Sequence, residues 1–124
     1  AIKSTFELGA TLVEAGLTVA IEMSGRMERM NTRNLPFYAG SFAAYGVPYE
    51  KAVALLTANP AKILGIDQEL GTLEVGKKAT LFLSKGDALD MRTNILSHAF
   101  IEGRALSLES HQTKLYKRYS KKVN

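Results

Sequence analysis

The sequence contains no cysteine and only two histidines, His98 and His111. Without cysteine there is no disulfide framework, no thiolate zinc site and no cysteine nucleophile. Neither histidine has a second one at ligand spacing, so histidine-rich metal centres and most imidazole acid–base schemes have little to draw on. Prolines number three, there is no low-complexity tract, and no apolar run is long enough to cross a bilayer. The chain opens on Ala1, without the basic, apolar and small-residue succession of a secretory leader, an absence from which nothing about export follows. Missing cysteines do not identify a compartment, and a cytoplasmic one is slightly favoured.

What is present is the composition of a globular protein: 124 residues, 46% hydrophobic and 23% charged, enough for one ordinary domain with one core. The formal net charge of +4 is unevenly placed. Residues 112–124 carry five cations (Lys114, Lys117, Arg118, Lys121, Lys122) and no acid, so the rest of the chain sums to −1. A neutral body with a basic tail is a different object from a uniformly basic protein.

Along the chain, residues 3–14 read as an amphipathic helix stopped by Gly16, with Phe6, Leu8, Leu12 and Val13 as its apolar set. Residues 17–23 read as a buried strand: Val19, Ile21 and Met23 share one face, and Thr18, Ala20, Glu22 and Ser24 the other. Residues 25–34 are polar and read as a loop. Residues 35–45 predict a helix closed by Gly46, Pro48 opens the next, and Asn59-Pro60 reads as a cap and first turn ahead of Gly65. Beyond Ile66, glycines divide short apolar segments at 72–75, 79–84, 95–101 and 105–108, which read as strands, with a hairpin turn at Glu102-Gly103. A last helix is expected over 109–121.

Three stretches, taken in order, resemble the C-terminal third of the metal-dependent amidohydrolase superfamily, which includes imidazolonepropionase, dihydroorotase, adenine deaminase and prolidase-like enzymes. They are Tyr45-Gly46-Val47-Pro48 through Asn59-Pro60-Ala61 to Ile66, then Gly71-Thr72-Leu73-Glu74-Val75-Gly76-Lys77 through Leu81, and finally Gly86-Asp87-Ala88-Leu89-Asp90 with Ile101-Glu102-Gly103-Arg104. The resemblance implies an α/β fold: the last strand and helices of a (β/α)8 barrel over 1–65, part of an accessory composite β-sandwich over 66–108, and a basic C-terminal helix over 109–124. A complete barrel takes about 250 residues. The expectation is therefore a fragment or one piece of a split protein, partnered by the rest of the barrel or a second amidohydrolase-like chain, and prone to oligomerise through an unpaired strand.

The family's chemistry, as the resemblance implies it, is metal-assisted hydrolysis of C–N bonds with a zinc-like divalent ion. Its ligands come from a His-x-His, a lysine, further histidines, and an aspartate ending the eighth barrel strand that also serves as the base. Only that last position falls inside this chain, and an ungapped placement puts Ser24 there. Glu22 shares its inward parity but lies a layer deeper. No catalytic residue, metal ligand or cofactor is thus assigned to the chain, which is expected to be inactive alone; the intact parent is either a C–N hydrolase or a non-catalytic family member serving as a partner subunit. Arg26, Arg29 and Arg33 follow the strand where the family's loops face substrate, and could read an anion, although a solvated loop is the plainer account. Asp67, Asp87 and Asp90 read as turn aspartates. In the basic tail, interleaved lysines and tyrosines would suit a nucleic acid, yet a helix docked by Leu115, Tyr116 and Tyr119 with its charges in solvent is the favoured reading. A nucleic-acid or membrane partner is not expected.

Overall fold

The computed structural model describes residues 2–25 and 27–122. The first helix, α1 (Ile2–Glu14), ends as its pattern predicts. Gly16 takes φ 82°, its N–H donates to Val13 O, and the Leu17 N–H reaches back to Leu12 O, the paired bonds of a left-handed helix stop. The apolar face of α1 meets α2 (Leu35–Ala44). Phe6 packs edge-on against Phe42, with centroids 4.9 Å apart, and stacks on Tyr45 at 5.6 Å. Gly9 permits this approach, because a Cβ there would overlap the Phe42 ring.

Two short helices follow, α3 (Tyr49–Ala54) after Pro48 and α4 (Ala58–Ile63). Ala39, Val47, Ala52 and Leu89 form the buried centre, and Ala10, Val13, Ile21, Phe42 and Leu56 pack around it. Small residues dominate because the helices and the turn at 86–93 come close. Gly40 sits so tightly against the Leu89 carbonyl that any side chain there would collide with it. Leu55, between α3 and α4, is fully buried.

The sheet is antiparallel in the order β1-β2-β3, built from β1 (Leu81–Ser84), β2 (Leu96–Ile101) and β3 (Arg104–Ala105). Leu81 faces Phe100 and Leu83 faces His98, and the register slips between Leu83 and Ser84. The expected turn at Glu102-Gly103 is there, with φ 48° and 79° at its two residues, the pair of positive angles a tight hairpin requires. The last helix, α5 (His111–Ser120), starts at Ser110.

Helices and strands therefore occur in one α/β chain, but five local expectations need correction. Of residues 105–108 only Ala105 lies in a strand, because β3 pairs with β2 at just two positions. Residues 17–24 carry no regular secondary structure and pair with no described strand. A ladder needs a neighbour, and a two-face pattern cannot supply one. Residues 72–75 are irregular, with a bend at Thr72 and a turn beginning at Val75, Leu73 and Val75 in solvent, and Lys77 bridging Glu74 at 2.8 Å. Asn59 is not a cap: α4 begins two residues earlier than that cap implies, at Ala58 after Thr57, and the Asn59 side chain is used elsewhere. Part of the expected loop at 25–34 winds into a 3-10 helix, Glu28–Asn34.

The C-terminal helix also differs from its expected docked state. None of its residues is buried, and Leu115, Tyr116 and Tyr119 are 37%, 75% and 53% exposed. Among the described residues, no helix is long and apolar enough to cross a membrane.

Candidate functional site

The position singled out by sequence lies at the end of the segment 17–24. Its launch point is the stop at Gly16, and its apolar face turns toward the helices: Val19, Ile21 and Met23 are half-buried, with Ile21 against the core. Two tethers hold its backbone. The Asn59 Nδ2 donates to Val19 O at 2.8 Å, and the Ile21 N–H donates to Leu55 O at 3.2 Å. Alternation then sends Glu22 and Ser24 to the opposite face, and both are exposed. The expected two-faced arrangement holds over residues 21–24, whereas Ala20 is half-buried like its neighbours; Glu22 is exposed.

Around this end the described candidates do not converge. Arg33, the last residue but one of the 3-10 helix, is exposed. Arg26 and the Arg29 side chain lie outside the described residues. His98 sits on β2, its Nδ1 3.1 Å from Ser97 Oγ and its ring stacked over Phe100 at 6.4 Å between centroids. His111 is the first residue of α5 and exposed. Among the described residues no three histidine, aspartate or glutamate side chains gather closely enough to hold a metal.

A second group of polar side chains forms where α2 meets the 86–93 turn, lining a shallow cleft with Phe37, Ser41, Tyr49, Asp87, Met91 and Arg92. Both aspartates serve as turn residues, as read from sequence: Asp87 Oδ1 accepts from the Leu89 N–H at 2.8 Å, and Asp90 Oδ1 from the Arg92 N–H at 2.9 Å. Tyr49 is the residue the sequence reading missed. Its hydroxyl donates to Asp87 Oδ1 at 2.6 Å across 38 residues of chain, and nothing local signals such a bond.

Hydrogen bonding to the Asp87 carboxylate, with burial and that carboxylate's charge adding to it, pushes the Tyr49 phenol up to about 12. Asp90 is held down at about 2, chiefly by hydrogen bonds from the Arg92 side chain and its backbone. Arg92 grips Asp90 with Nε and Nη2, the closer contact at 2.6 Å. A phenol that keeps its proton and a carboxylate that keeps its charge are fixed, structural groups. Neither is tuned to exchange a proton near neutral pH.

Comparison with known proteins gives these positions a context. Residues 9–109 match the model of the Amidohydrolase family. A 5-methylthioadenosine/S-adenosylhomocysteine deaminase from Moorella thermoacetica is 36% identical over 89 residues, covering 65% of this chain and 20% of that protein. The crystal structure of an amidohydrolase from Thermotoga maritima MSB8 superposes with a TM-score of 0.68 at 28% identity, over 82% of this chain and 26% of that one. The chain thus spans about a fifth to a quarter of the length of these relatives. Helix α5 begins just beyond the family-matched residues.

Proposed function

We propose that this chain, which belongs to the amidohydrolase family, supplies the closing part of a hydrolase barrel and its companion sheet while carrying none of the catalytic groups. The reading rests on one observation. The segment that would be the eighth barrel strand ends in the hydroxyl of Ser24, and no three potential ligands meet anywhere among the described residues. A divalent ion of the kind the family uses would activate water against a C–N bond. The donors here do not fit it: one hydroxyl and the solvated Glu22 carboxylate, two positions apart, cannot complete a coordination sphere.

The work of this chain is then positional. The tethers from Asn59 and Leu55 fix where residues 17–24 run, and the core beneath them fixes their pitch. Further polypeptide, covalent or not, would have to lie along that segment. Surface area supports this: the chain exposes 9559 Å², whereas a compact monomer of its mass exposes about 6,500 Å². The excess of about 3,000 Å², part of it contributed by the exposed α5, leaves room for an interface of the obligate size class.

The reaction served would be hydrolytic C–N cleavage, the class to which a deaminase such as the Moorella relative belongs. Calorimetric titration of the chain with zinc is the direct test. No stoichiometric binding is expected, and one tight site per chain would overturn the reading.

Ser24 also favours a second reading, that the complete protein is a non-catalytic member of the family. A hydroxyl cannot take a proton from water as a carboxylate does, and loss of a general base costs about 10²–10⁴ in rate. In a polypeptide joining this chain to the family's other ligands, Ser24→Asp should raise hydrolysis by that factor. Equal turnover with serine would remove this second reading.

A further inference from the structure

The C-terminal helix is unlike the rest of the molecule in four respects. It lies beyond the residues that match the family. Nine of its ten residues are exposed, and the tenth, Ser120, is only half-buried. It folds on local interactions: Ser110 Oγ accepts from the Thr113 N–H at 3.2 Å, Thr113 Oγ1 accepts from the Ser110 N–H at 2.8 Å, and Lys117 pairs with Glu109 at 3.0 Å. A reciprocal cap of this kind satisfies helix-end donors without tertiary help. Finally, its charges are sorted. Lys114, Lys117, Arg118 and Lys121 follow the i, i+3, i+4, i+7 rule along one face, Lys122 borders it, and the only acid near them is Glu109.

Beside that stripe stand Leu115, Tyr116 and Tyr119. Arg118 and Lys122 reach the ring of Tyr119, with their charged ends 5.8 and 5.5 Å from its centroid. Three apolar side chains, two of them tyrosines, make too small a face for burial in a bilayer, where apolar area drives binding. Cations flanking exposed aromatic rings match another ligand better, one that offers a row of phosphates and a series of flat bases.

We propose that α5 binds single-stranded nucleic acid, its basic stripe along the phosphates and the Tyr116 and Tyr119 rings available for stacking. With Lys117 largely offset by Glu109, Lys114, Arg118, Lys121 and Lys122 remain as phosphate partners. About four neutralised phosphates on a single strand give a log–log salt slope near −3, which is about a fiftyfold loss of affinity between about 50 and about 200 mM salt.

The test uses the whole chain and a fluorescent oligothymidine of about 20 nucleotides, followed by anisotropy at both salt concentrations. Vesicles of phosphatidylserine and phosphatidylcholine form a parallel arm. The expected result is salt-steep binding that weakens at least tenfold in the Lys114→Gln, Arg118→Gln, Lys121→Gln triple variant. Tyr116→Ala with Tyr119→Ala should weaken it at least fivefold at unchanged salt slope. These side chains are exposed, and circular dichroism of each variant checks that the helix persists. Absence of binding at about 50 mM salt, insensitivity to the triple variant, or preference for the vesicles would each overturn the proposal.

Discussion

At the scale of single residues, a few side chains carry the arrangement, and they differ in how far sequence announces them. Asn59 donates the half-buried hydrogen bond that ties α4 to Val19. Asn59→Ala leaves that carbonyl without its partner and should cost about 1–3 kcal/mol. Urea denaturation checks the cost, and faster amide exchange over residues 17–24 is the local sign. Gly9→Ala drives a methyl group into the Phe42 ring and should destabilise by about 1–3 kcal/mol, seen as a lower denaturation midpoint. Tyr49 carries a pH signature. Its phenol is raised from 10.0 to about 12 in the folded chain, so the folded state holds that proton more tightly than the unfolded state does. The stability this adds is complete below pH 10.0 and disappears as pH climbs to about 12. The stability gap between the native chain and Tyr49→Phe should therefore stay constant up to the lower value and narrow toward the upper. A gap unchanged across that window would show that the Asp87 bond does not hold the proton. Asp87 and Asp90 were legible as turn residues because an aspartate bonds its own neighbourhood. Tyr49 was not, since its partner is distant in sequence.

Among elements, local chemistry decided more than hydrophobic pattern did. Helix stops at glycine, the cap at Ser110 and the Glu102-Gly103 turn each follow from a few adjacent residues. Gly103→Ala would force a side chain to φ 79° and should cost about 1 kcal/mol. A smaller fall in melting temperature than that cost implies would mean the hairpin relaxes its turn. Strand expectations fared unevenly for one reason. Residues 79–84 and 95–101 contain β1 and β2 because they find each other, whereas 17–23 and 72–75 have strand patterns and no described neighbour. Alternation still sets the faces of 17–24, with Ile21 toward the core and Ser24 away from it. In α5 the sorting of cations and tyrosines was visible in the sequence, but its freedom from the body was not.

For the molecule as a whole, the surface left exposed is the dominant fact. An excess of about 3,000 Å² over a compact monomer is the basis for expecting the isolated chain to self-associate, as the proposed need for further polypeptide requires. Sedimentation should show concentration-dependent species, and a sharply cooperative monomer would contradict the proposed need for further polypeptide. The sequence by itself determined the family, through the Asn59-Pro60-Ala61 and 71–81 stretches, and the residue at the end of segment 17–24. It also determined the helix stops at glycine, the hairpin and the basic tail, because each depends on neighbours within a turn or two of chain, although not the 3-10 helix at 28–34 or the start of α4. Only the tertiary structure decided that Asn59 is a tether, that Tyr49 meets Asp87, and that no three potential ligands gather among the described residues. It also decided that α5 stands clear. Those are matters of which distant segments approach, and burial and long-range pairing are set by the whole packing rather than by any local pattern.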